Sequence, residues 1–109
     1  MLTEEQIRST AATFSTYMKG CQYFGEGRVK DLQFFTDNNA FEARVIGQTL
    51  YDVCIKLDAD HEIEFYDCTC PASYSYEGAC KHTIAVLKNI QSHDLADTRQ
   101  IRQLASATQ

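Results

Sequence analysis

The sequence predicts an α+β fold: an N-terminal helix, an antiparallel β-meander of about four strands, a cysteine-rich loop, and a C-terminal helix packed on the sheet. Three observations carry this. Apolar residues recur at helical spacing near the start, four segments between residues 28 and 67 alternate apolar with polar residues, and a second apolar-faced run begins at Cys80. The 109 residues make one domain's worth of chain, and the 44% hydrophobic and 23% charged content is that of an ordinary foldable domain.

Residues 3–18 read as the first helix. Thr3 can cap it with Gln6 as capping-box partner, Ile7, Ala11, Phe14 and Met18 make one apolar stripe, and Gly20 marks its end. Gly25-Glu26-Gly27 is a loose turn. It precedes a strand rather than a helix, so it is a poor phosphate cradle.

The first strand spans about 28–36, and Asp37-Asn38-Asn39 turns the chain. In 40–46, Phe41, Ala43 and Val45 share one face. In 51–57, Tyr, Val, Ile and Leu alternate against Asp, Cys and Lys. In 61–67, Ile63 and Phe65 oppose Glu62, Glu64 and Tyr66. Such alternation implies one buried and one wet face. A helix over about 80–91 offers Ile84, Leu87 and Ile90 to the sheet. The expected organisation is therefore an N-terminal helix (1–20), a central domain (21–92) and a tail (93–109) that is a short helix or disordered.

Five cysteines stand in this chain, three of them within thirteen residues beside a histidine. The acidic start lacks the basic n-region and apolar stretch of a signal peptide, and no apolar run is long enough to span a membrane. A cytoplasmic location and reduced thiols are therefore expected. The pattern Cys68-x-Cys70, nine residues, Cys80-x-His82 supplies three thiolates and one imidazole, the set that tetrahedral Zn2+ favours. Residues i and i+2 of an extended strand point to one side, so Cys68 and Cys70 can reach one ion. Pro71 then ends strand pairing. Cys80 falls at a helix N-terminus, which favours thiolate, with Lys81 as a nearby cation, and His82 in the first turn can close the site.

The competing readings are a Cys–His nucleophile pair, buried free cysteines and a disulfide. The first leaves two thiols unexplained, the second does not suit a polar stretch, and the third does not suit reduced thiols. Cys21 and Cys54 have no ligand at zinc spacing and read as spectators. His61 and His93 read as exposed polar residues.

These residues resemble the SWIM-type zinc finger, whose pattern is CxC, a variable loop, then CxH. Cys70-Pro71 and Cys80-Lys81-His82-Thr83-Ile84-Ala85 also look like that family, as do Gly27-Arg28-Val29 and Gly47-x-x-x-Tyr51-x-Val53 upstream. The resemblance covers about residues 20–92. It implies a strand-hairpin-plus-helix unit with one structural zinc bound through motif 68–82, and proposed roles in DNA binding and protein–protein contact. In bacteria such a finger often lies N-terminal to a Swi/Snf-type helicase-like ATPase. This chain has no GxxxxGK[ST] phosphate loop, so it is expected to be an accessory piece or a free-standing relative, and no enzyme by itself.

A zinc ion held by three thiolates adds a net charge of −1, taking the chain from −5 to −6. From Cys68 to Ser92 the cations are Lys81 and Lys88, against Glu77. That balance opposes a phosphate-gripping face and favours docking on a protein partner or an ATPase domain, with Tyr74 and Tyr76 as anchors. Direct DNA binding is the alternative: Arg28, Lys30, Arg44 and Lys56 could gather into a patch, and the two tyrosines could stack on bases.

Overall fold

The computed structural model describes residues 2–74 and 77–96. Two helices, α1 (Glu4–Thr10) and α2 (Phe14–Gly25), lead into a sheet of β1 (Val29–Phe35), β2 (Ala40–Ile46), β3 (Leu50–Leu57) and β4 (Ile63–Cys68). A short 3-10 turn, Pro71–Tyr74, and α3 (Lys81–Ala96) follow. The strands lie in chain order, each antiparallel to the next. The α+β architecture with a four-strand meander stands as expected.

The N-terminal helix differs from its expected form. Residues 3–18 are two helices, and the expected boundary at residue 20 falls inside α2. Thr3 caps α1 with the full capping box, and Thr13 caps α2 by accepting from the Thr16 amide. Between them Ala11 is extended and bridges Ala79 of the cysteine-rich loop. The Ala79 amide donates to the Thr10 carbonyl at 2.9 Å, and the Ala12 amide donates to the Ala79 carbonyl at 3.0 Å. These long-range bonds replace the intrahelical ones that a continuous helix would make. The break rotates the second half, so Phe14 and Met18 are 66% and 52% exposed while Tyr17 and Gly20 are buried. The single stripe of Ile7, Ala11, Phe14 and Met18 does not form.

Alternation sorts the sheet. Phe41, Ala43 and Val45 from β2 and Val53, Ile55 and Leu57 from β3 form the core with Ile84, Val86, Leu87 and Ile90 of α3. In β4 the expected face is reversed after Ile63. The pairing register shifts between Lys56 and Leu57, so Tyr66 and Cys68 turn inward and Phe65 is 52% exposed. An irregularity between Lys30 and Gln33, where Asp31 has φ +57°, likewise breaks the alternation of β1. Asn39, also left-handed at φ +54°, donates its side-chain amide to the Leu57 and Asp58 carbonyls and ties two turns together.

No described helix lies on the remaining face of the sheet. α2 packs on α3, and α1 reaches both helices. The expected tail begins as a continuation of α3 to Ala96, and its remainder lies outside the described residues. No described helix is long and apolar enough to cross a membrane.

Candidate metal centre

β4 ends at Cys68, and the chain carries Cys70 two residues further on. The Thr69 amide donates to the Asp52 carbonyl at 3.1 Å, and the Thr69 hydroxyl accepts from the Asp52 amide at 3.0 Å. Those two bonds extend the strand pairing past its last residue and hold Cys68 and Cys70 against the core. Ala79, fixed between Thr10 and Ala12, delivers Cys80 to the start of α3. There the Cys80 carbonyl accepts the Ile84 amide at 3.0 Å, and His82 follows in the first turn.

The four donor atoms, three Sγ and one His82 ring nitrogen, all lie within 4.8 Å of one another, and all four residues are buried. His82 Nδ1 stands 3.8 Å from both Cys68 Sγ and Cys80 Sγ. A tetrahedral zinc with bonds of about 2.3 Å to sulfur and 2.0 Å to nitrogen needs ligand atoms about 3.5–3.8 Å apart. The residues therefore fit a zinc ion on the chemistry of the donor set and on its spacing. No other described group of His, Cys, Asp or Glu converges in this way. Bound there, zinc would fix the end of β4 to the start of α3, and four protein donors leave no position for an activated water.

The thiols are unequal. Cys80 is held far below the usual thiol range, at about 3, chiefly because its sulfur accepts from Cys68, with His82 and Thr83 adding bonds against the cost of burial. The same contact, with burial, pushes Cys68 up. Lys81, expected beside Cys80 as a cation, places Nζ over the Tyr23 ring, 5.3 Å from its centroid.

The histidine is oriented by packing. Tyr23 meets its ring edge-on at 5.6 Å between centroids, and Tyr51 lies tilted against it at 4.5 Å. Nε2 is buried and has no hydrogen-bond partner among the described residues. A Cβ on Gly47 would stand 2.9 Å from Nε2 and 2.8 Å from the Tyr51 ring, so only glycine leaves room for the imidazole. Metal-bound histidines usually donate their second N–H to an oxygen. Here two tyrosine rings and a glycine do the positioning.

Gly47 and Tyr51 were visible in the sequence only as motif positions, and nothing near Tyr23 signalled its place. Cys21 and Cys54 stand outside the cluster, half-buried and free, and His61 is exposed. The side chains of Tyr74 and Tyr76 lie outside the described residues. Of the four cations expected to form a basic patch, Lys30, Arg44 and Lys56 share the open face of the sheet, Lys30 directly across from Arg44, but Arg44 pairs with Asp52 and Lys56 with Glu64, and Arg28 lies over Tyr23.

Residues 51–91 match the family model of the SWIM zinc finger. The match takes in β3, β4, the loop and α3 as far as Gln91. No curated protein and no solved structure matches the chain.

Proposed function

We propose, from the premise that residues 51–91 are a SWIM zinc finger, that this chain is a zinc-stabilised docking module with no catalytic role of its own. In this reading it is the accessory part of a Swi/Snf-type DNA-dependent ATPase. The observation that carries it is the closed ligand set: Cys68, Cys70, Cys80 and His82 are all buried, so the ion serves architecture and substrate cannot reach it. The acidic balance suits a protein partner, since phosphate binding draws on counterion release by several aligned cations.

A second reading, direct DNA contact, is favoured by one feature. Arg28 and Lys81 both lie over the Tyr23 ring, 4.5 and 5.3 Å from its centroid, beside the metal centre. Arg28 is, however, already paired to Glu26 at 2.6 Å. Titration of the zinc-loaded chain with duplex DNA over a salt series separates the two. Docking predicts no saturable binding at low salt. Micromolar binding with a steep log–log salt slope would overturn it in favour of DNA.

A further inference from the structure

The open face of the sheet is a surface that neither the four ligands nor the described helices use. Its side chains form rows across the strands. Ile46 pairs with Leu50 at one end, and Phe35, Ala40, Lys56 and Phe65 make the row at the other. Between them lies a trough of about 670 Å³ lined by Asp31, Gln33, Glu42, Arg44, Asp52 and Asp67, among others. Arg44 is engaged with Asp52 at 3.5 Å, and Asp31, Glu42 and Asp67 make no salt bridge among the described residues. Lys30 lies at the β1 edge opposite Arg44 and does not line the trough. Cys54 at the floor reports the same field: burial, then the charges of Glu42 and Asp67, push its thiol up.

The ends of this surface are apolar and open. Phe35, Ile46, Leu50 and Phe65 are 37–52% exposed. A strand rises about 3.3 Å per residue, so the six steps from Ala40 to Ile46 set the two apolar rows about 20 Å apart. Large apolar side chains left exposed at both ends of an exposed acidic stretch suit a partner that brings apolar and cationic groups together.

We propose that this face docks an extended basic segment of a partner protein, with Lys or Arg side chains over the trough and an apolar residue at each end about 20 Å apart. Charge decides among occupants. A nucleic acid would meet unpaired carboxylates, and a second copy would bring the same acidic face, whereas a cationic segment gains attraction and faster encounter. The proposal rests on the docking reading and names the surface that performs it.

The test uses the zinc-loaded chain, isotope-labelled for NMR, and a seven-residue peptide with leucine at both ends, six steps or about 20 Å apart, and four arginines between. The expected result is saturable binding, with shift changes at β2, β3 and β4 amides bordering Glu42, Cys54 and Asp67. Glu42→Lys, on an exposed position remote from the metal, weakens binding about fivefold or more at low salt, and Phe65→Ala weakens it as well. Glu5→Lys, the same charge change on α1, leaves it unaltered. Absence of binding, shifts centred on Tyr23 and Lys81, equal loss from Glu5→Lys, or self-association through this face would each overturn the assignment. If the peptide fails and duplex DNA also fails to bind, the face assignment falls and the docking reading stands. Steep salt-dependent DNA binding removes the docking reading itself.

Discussion

A methyl group added at Gly20 would test how α2 supports the metal centre. Gly20 is buried where α2 crosses α3, and a Cβ there would sit 2.4 Å from Ile84 Cγ2, 2.5 Å from Ile84 Cβ and 2.9 Å from the Lys81 carbonyl oxygen. Ile84 is fully buried and β-branched, so its rotamer has nowhere to turn, and its Cβ cannot move without the backbone. Reaching ordinary contact distance requires α2 and α3 to separate by about 1 Å, and such overpacking costs about 1–3 kcal/mol. Alanine's better helix propensity returns about 1 kcal/mol of that. Gly20→Ala is therefore expected to lose up to about 2 kcal/mol net in urea unfolding of the zinc-loaded chain.

The displaced turn of α3 also carries Cys80 and His82, and binding sites tolerate about 0.5 Å of misplacement. Zinc affinity, read by competition with a chromophoric chelator, should fall about tenfold. Gly25→Ala is the internal control. A Cβ there meets nothing within 4 Å, so the same change at the end of the same helix should stabilise by about 0.5 kcal/mol and leave zinc affinity alone. A Gly20→Ala protein as stable as the wild type, with unaltered zinc affinity, would refute the argument.

Three further outcomes are expected. Cys80→Ser should lower zinc content from one per chain to near zero by elemental analysis, and unchanged content would remove the assignment. Gly47→Ala should push a Cβ against His82 Nε2 and Tyr51, raising the zinc dissociation constant about tenfold while circular dichroism stays unchanged. The Tyr17 hydroxyl donates to Glu4 at 2.6 Å, and this bond holds Glu4 below its ordinary value and Tyr17 above its own. The lowered carboxylate contributes above its unfolded pKa and loses that contribution as pH falls through its folded value. The raised phenol contributes below its unfolded pKa and loses that contribution as pH rises through its folded value. The stability gap between wild type and Tyr17→Phe should thus be widest between about pH 5 and pH 10 and narrow on both sides.

What the sequence disclosed follows the range of the forces involved. Cys68, Cys70, Cys80 and His82 were legible because ligand type and spacing are constrained by one ion's geometry. The inward faces of β2 and β3 were legible because pleating fixes a period of two over regular pairing. The break at Ala11 was not, because its cause is a partner 68 positions away, Ala79. Phe14 and Met18 sit at good helical spacing, yet the phase of α2 is set by its new cap at Thr13 and by Gly20 against Ile84. The reversed face of β4 follows from a register shift opposite Lys56 and Leu57 that no composition rule signals. Tyr23 could not be found because its role exists only once α2 is laid beside the start of α3.

The placement of the metal at one end of the core also predicts how the fold fails without it. Zinc sites of this kind contribute about 10–16 kcal/mol in peptides, as much as the whole stability of a small domain. A peptide finger has little else, whereas here Ile55, Leu57, Leu87 and Ile90, with Leu2 and Ile7, belong to an apolar core that extends beyond the ligands. The described part of the segment from Thr69 to Cys80 is held in part by the two Thr69–Asp52 bonds at one end and the two around Ala79 at the other. Removing zinc also leaves three thiols and an imidazole buried without the charge that holds them together. Opening should therefore be local and stop where the apolar core takes over. After chelation, hydrogen exchange should accelerate by orders of magnitude at amides from Cys70 to Thr83, while Ile55, Leu87 and Ile90 keep most of their protection. Equal acceleration at all of these would show that the ion supports the entire fold, and no acceleration at Cys70 and Cys80 would show that it supports none of it.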